Sequence, residues 1–305
     1  MIPRSILAAL FFGLNSASGL TEWSDDFSKS TLVAKDSGKD LLIDFTGSDW
    51  CSWCIKLRKE VFAQEEFDKK ARDHFELVEL DYPKDKSKLS EQVQKQNAEL
   101  LERYPIKGYP TVLLCDTAGR PFAATGYRPG GPVDYLKHLD ELLLRKAARD
   151  QAFEDAVAKE GVERARALLS ALDGMELDSD LVRISYPEIA DQIVAADPTD
   201  ETGFQMRRET EVKFAEFMKK LGELRSKQDL DGVEILISET LKDPVITGEA
   251  RQQVHGHHAG TLASAGKKDQ AIAVLQAAVK EDPDGGRTKE LSEFIDILRK
   301  EQAKK

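Results

Sequence analysis

Cysteine is scarce. Three in 305 residues are too few for a small secreted fold stapled together by disulfides. Positive charge is in deficit as well: 44 Lys and Arg stand against 55 Asp and Glu, a formal charge of −11. That balance argues against nucleic acid, whose phosphates require a basic face, and against adhesion to anionic membranes. The longest apolar stretch near the start falls far short of the about 20 residues a folded bilayer span needs. There is no glycine-rich phosphate loop and no Ser/His/Asp order. With no second C-x-x-C, a zinc ion at the single C-x-x-C would want two further ligands. The sequence calls for no cofactor and no metal.

What is present is a soluble, core-forming composition, 41% hydrophobic and 32% charged, over a length that suits two domains. Residues 1–19 read as a signal peptide. Arg4 supplies the charged start, residues 6–14 the apolar stretch, and Ser16-Ala17-Ser18-Gly19 the small residues for cleavage. No cysteine follows the stretch, so a lipid anchor is not expected, and a buried N-terminal helix is the competing reading. The mature protein is expected to be exported, periplasmic or extracellular, with no membrane anchor after cleavage. The remaining chain divides into residues 20–148 and residues 149–305.

The first part alternates short apolar runs with amphipathic ones. Residues 21–37 read as a helix with Trp23, Phe27, Leu32 and Val33 as its apolar members. Residues 39–45 read as a buried strand, residues 50–62 as a helix, residues 75–80 as a second strand and residues 89–103 as a polar helix. Residues 111–115 and 120–125 then make two strands around a turn, and residues 133–145 a closing helix. Alternation of this kind predicts an α/β fold, a mixed sheet with helices on both faces. Cys51-Ser52-Trp53-Cys54 falls at the first strand-to-helix junction. A C-x-x-C can hold a metal, close a structural disulfide or shuttle electrons; at a helix N-terminus, where partial positive charge favours a thiolate, it reads first as a redox pair. Ser48 or Asp49 is expected to cap that helix. Cys115, inside an apolar run, reads as a small buried core residue.

Residues 21–147 resemble the thioredoxin superfamily. The resemblance rests on the strand Leu41-Leu42-Ile43-Asp44-Phe45, on Trp50-Cys51-Ser52-Trp53-Cys54, and on Gly108-Tyr109-Pro110-Thr111 before a hydrophobic strand. More narrowly, Gly47-Ser48-Asp49-Trp50-Cys51-Ser52-Trp53-Cys54 is similar to exported bacterial thioredoxin-like proteins. The resemblance implies that Cys51 attacks a substrate, Cys54 resolves the mixed disulfide, and the Tyr109–Pro110 bond is cis beside them. It further implies that Asp44 takes a proton from the resolving thiol, a purely structural role for Asp44 being the other reading. Trp50, Trp53, Tyr109 and Pro110 are the expected substrate-binding residues. Six residues separate Asp44 from Cys51, one more than thioredoxins usually have, and Ser52-Trp53 replaces the Gly-Pro of reductant thioredoxins.

Residues 149–305 are helical in pattern. Helices are expected over 151–171, 186–196, 211–227, 231–242, 249–265 and 269–280. Ala259, Leu262, Gly266, Ala271, Leu275, Ala278 and Pro283 resemble one tetratricopeptide (TPR) hairpin, giving an all-α, TPR-like second domain. His255, His257 and His258 read as helix residues on a packing face rather than metal ligands. Together these readings give an exported thiol–disulfide oxidoreductase. Its partners would be protein thiol or disulfide substrates and a redox partner protein, with a further protein partner docked on the helical domain. The alternative is a non-catalytic helical-repeat interaction protein that uses its thioredoxin-like domain as a binding module.

Overall fold

The computed structural model describes residues 23–303, so the expected signal peptide at 1–19 lies outside the described residues. The chain forms two compact units, Met1–Ala196 and Asp197–Lys305.

In the first unit the sheet is built on β1 (Asp40–Thr46), whose seven residues are all buried. Such a run needs cover on both faces, and helices supply it. Strand β1 pairs in parallel with β2 (Phe75–Asp81), Asp44 opposite Glu79. On its other side it pairs antiparallel with β3 (Thr111–Cys115), which pairs antiparallel with β4 (Pro121–Thr125). The order is β2-β1-β3-β4, the expected mixed sheet. Helix α1 (Phe27–Ser37) starts later than expected, because the Asp26 carboxylate accepts the Lys29 N–H and fixes the N-terminus there. Ahead of it the chain is extended and Ser24 bridges to Val78 of β2. Its buried face is Phe27, Ser30 and Ala34, while Leu32 and Val33 are exposed.

The motif helix is α2 (Ser52–Leu57), continued by a π-helical turn, Arg58–Phe62. A separate helix α3 (Glu65–His74) precedes β2; it was not anticipated, since Phe67 and Ala71 are its only buried apolar residues. Helix α4 (Glu91–Arg103) is capped by Ser90. Helix α5 (Gly131–Val157) runs straight through residue 148, and the division between units falls at 196/197. The helix expected over 151–171 is broken before α6 (Gly161–Asp173), where Gly161 adopts φ +56°. Two further helices, α7 (Ser179–Ser185) and α8 (Pro187–Ala196), complete the unit.

A buried polar network ties α5 and Tyr186 to the sheet. Arg149 donates to the Tyr186 hydroxyl at 2.6 Å, and that hydroxyl donates to the Pro121 carbonyl at 2.8 Å. Arg149 also faces Asp116 at 3.4 Å. Tyr186→Phe leaves both partners short of a hydrogen bond in a dry site. The expected cost is about 1–3 kcal/mol, read as a lower urea midpoint for the first unit; an unchanged midpoint would mean the network does not secure α8.

The second unit contains α9 (Phe204–Ser226), α10 (Leu230–Lys242), α11 (Gly248–Ser264), α12 (Lys268–Glu281) and α13 (Thr288–Gln302). Gly266, at φ +77°, makes the turn between α11 and α12. Asp243-Pro244 and Asp282-Pro283 fall at helix ends, as proline cannot continue a helix. Ala259, Leu262, Ala271, Leu275 and Ala278 form one buried cluster, joined by Leu291, Ile295 and Leu298 of α13. That last helix went unread because Leu291, Ile295 and Leu298 lie among charged residues. A second cluster joins Phe217, Leu221, Val233, Ile237, Ile246 and Val254.

Candidate active site

Strand β1 ends at Thr46 and the chain turns through Gly47. The Gly47 carbonyl accepts the N–H of Cys51 at 2.9 Å. A side chain at Gly47 would meet the Trp50 indole at 2.5 Å, so the ring needs a glycine beneath it. The helix cap differs from expectation. Cys51 itself is the N-cap, extended at φ −88° and ψ 101°, and its Sγ accepts the Cys54 N–H at 3.2 Å. Ser48 is turned away, donating its hydroxyl to Asp81 at 2.6 Å. Asp49 accepts the backbone N–H groups of Lys84 and Asp85 at 2.9 and 3.1 Å. Those two donors, helped by Lys88, hold its carboxyl down at about 2. The segment after β2 thus engages the Asp49 carboxylate.

Cys51 and Cys54 are joined in a disulfide with Cα atoms 5.2 Å apart. In the disulfide both cysteines are buried, 6% of Cys51 and 3% of Cys54 being exposed. Two indoles stand at the surface beside it: Trp50 is 40% and Trp53 is 53% exposed. Trp50 donates its Nε1–H to the Tyr82 carbonyl at 2.8 Å and meets the Tyr109 ring edge-on at 5.4 Å. Trp53 lies 5.1 Å from the Tyr127 ring, with the Lys56 ammonium 5.2 and 4.9 Å from the two ring centres. The Tyr127 hydroxyl donates to Glu60 at 2.7 Å. The Tyr109–Pro110 peptide is cis, and the Pro110 carbonyl packs against Gly126, where a Cβ would approach to 2.9 Å.

Asp44 is 3% exposed, and its Oδ1 has no hydrogen-bond partner. Burial pushes its carboxyl well above the usual range. Glu79 adds to that rise, while Arg58 pulls the other way. Arg58 and Glu79 form an ion pair beside it. The two escaped the sequence reading because nothing in the alternation of β2 says which glutamate lies opposite Asp44; the parallel register does. Tyr127 and Tyr82 likewise had no motif to mark them.

Elsewhere, Cys115 is fully buried and burial pushes its thiol up, as suits a core residue. His258 pairs with Glu234 at 2.9 Å, and His255 lies 3.6 Å from Glu281. The two imidazoles therefore face different carboxylates. Among the described residues, no group of three or more His, Cys, Asp or Glu is placed to hold a metal, and no helix is long and apolar enough to cross a membrane.

Residues 27–142 match the family model of the thioredoxin-like domain. The disulfide bond reductase DsbH of Chlamydia pneumoniae is 34% identical over 122 residues, which span 40% of this chain and 72% of that protein. The thioredoxin-related protein DsbJ of the same organism is 30% identical over 130 residues, 40% of this chain and 37% of that one. A solved DsbH oxidoreductase structure, 29% identical, covers 45% of this chain and 94% of its own, at a TM-score of 0.39. The Cys51–Cys54 pair at the head of α2, taken with the similarity to a disulfide bond reductase, marks this protein as a thiol–disulfide oxidoreductase, and the chain belongs to the thioredoxin-like family.

Proposed function

We propose that the chain is an exported disulfide reductase acting on protein substrates, with Cys51 as nucleophile, Cys54 as resolving thiol and Asp44 as the proton acceptor. The observation that carries this reading is the placement of the Cys51–Cys54 disulfide at the N-terminus of α2, with Cys51 Sγ accepting a backbone N–H. The same arrangement stabilises a thiolate in the reduced form. The direction is taken from the similar reductase.

The reduced Cys51 thiolate attacks a substrate disulfide, forming a mixed disulfide and releasing one substrate thiolate. Cys54 then gives its proton to Asp44 and attacks Cys51. The Cys51–Cys54 bond forms, and the second substrate thiolate leaves and is protonated. Two electrons have passed to the substrate, so a dithiol partner must return the chain to its reduced state. A buried Asp44 whose Oδ1 has no hydrogen-bond partner suits the proton step, since a raised carboxyl is a stronger base than an ordinary one. Trp50, Trp53, Tyr109 and Pro110 form the docking rim, supported by the exposure of both indoles and the Trp50–Tyr109 contact.

The helical unit is the proposed partner-docking region. A groove of about 520 Å³ lined by Asp243, Pro244, Arg251, His255 and Glu281 supports that role, as does its stacked-helix form. Export rests on the segment 1–19. The test is reduction of insulin disulfides with dithiothreitol as electron source. The full chain should accelerate it, and the Cys51→Ser/Cys54→Ser double variant should not. If the double variant still captures the same partners, docking is separable from exchange. No acceleration by the unsubstituted chain would leave only a binding module.

A further inference from the structure

The ion pair beside Asp44 is the part of the site that neither motif nor family comparison assigns. We propose that Glu79 and Arg58 are positioning residues of the resolving step: the ion pair they form decides how firmly Asp44 holds the proton it takes from Cys54. The proposal rests on the reading of Asp44 as proton acceptor.

Three observations carry it. Asp44 and Glu79 are direct partners in the parallel β1–β2 pair, so their side chains leave the same face of the sheet on adjacent strands. Asp44 Oδ1 has no hydrogen-bond partner, so no hydrogen bond at that oxygen offsets a neighbouring carboxylate. Arg58, in the turn that continues the helix bearing Cys54, reaches Glu79 and lies over the Trp23 ring at 5.6 Å. The guanidinium is therefore committed to Glu79 and Trp23, and reaches Asp44 as a charge. The side chains of Arg58 and Glu79 are 45% and 30% exposed, so the pair links a sealed carboxyl to the solvent edge of the sheet. The charged and titratable groups that act on Asp44 are Glu79 and Asp81 from β2 and Arg58 from the π turn, and the Tyr135 hydroxyl of α5 feels Asp44 in turn. Glu79 itself also feels Asp81 and Asp25. Glu79 makes proton capture by Asp44 easier, and Arg58 restrains it.

The two residues should therefore shift the reaction in opposite directions, which a loss of local packing would not do. The reduced full-length chain is mixed in stopped flow with excess 5,5′-dithiobis(2-nitrobenzoate) across pH 4–9. Attack by Cys51 releases one thionitrobenzoate, and resolution by Cys54 releases the second. The rate of that second phase should rise with pH as Asp44 loses its resting proton. Glu79→Gln should move the midpoint of this rise toward acid by about one unit, and Arg58→Gln toward alkali by a similar amount wherever Glu79 is ionised. In an Asp44→Asn background neither should move it. If Asp44→Asn slows the second phase but the two variants shift nothing, or shift it the same way, the pair is structural and the proposal falls. If Asp44→Asn leaves the second phase unchanged, the reading of Asp44 falls first and this one with it.

Discussion

Cys54→Ser is expected to stall the protein on its substrates. The serine hydroxyl cannot displace a disulfide sulfur, so the adduct on Cys51 persists instead of closing to the Cys51–Cys54 bond. With Cα atoms 5.2 Å apart, the resolving thiol needs no backbone rearrangement to reach its target. Its loss should lower turnover at least about 1,000-fold, the scale seen when a member of a covalent catalytic unit is removed. Cross-linked species should appear on non-reducing gels and collapse with dithiothreitol. Cys51→Ser should be equally inactive and form no adducts, because Cys54 lies inside α2, behind the N-cap position where the helix end favours the attacking thiolate. Equal trapping by both variants would mean that the assigned order of attack is wrong.

Asp44→Asn should slow resolution by about 100-fold near neutrality while making the fold more stable there. Burial and Glu79 raise the Asp44 carboxyl in the folded chain. Between the unfolded and folded values, the folded chain holds the extra proton. Stability from this group is therefore present at acidic pH and is lost as pH rises through the folded value. Above it, the folded chain must carry a buried, unpaired charge, which asparagine never acquires. The gain in urea midpoint should be small near pH 4 and grow toward pH 8. A substitution that slows resolution but stabilises equally at all pH values would show that Asp44 acts through packing rather than charge. A carboxyl kept at a cost in stability is the pattern expected of a functional site.

The redox junction was legible in the sequence because its signals are local. A nearly continuous apolar strand, a C-x-x-C and a proline before the third strand each sit within a few residues, and all three fall where expected. The cap was misread because Ser48 and Asp49 are the stronger acceptors by type, yet both are drawn off by partners distant in sequence, Asp81 and the 84–85 backbone. The start of α1 was misread for a similar reason: residues ahead of Asp26 have a helical pattern, but Ser24 is held by β2. Glu79 and Arg58 depend on strand register and on a π turn, neither of which a one-dimensional pattern encodes. The helices of the second unit were read from their apolar spacing, except α13, whose buried face is three residues in a charged sequence.

The measurement that bears most directly on the account is an equilibrium redox titration of Cys51 and Cys54 in glutathione or dithiothreitol buffers, read by thiol trapping. The account predicts one reversible two-electron transition near roughly −270 mV, the range of a cellular reductant. A couple near roughly −120 mV would make the protein an oxidant and contradict the proposed direction. No reversible transition in any buffer would contradict the redox chemistry itself.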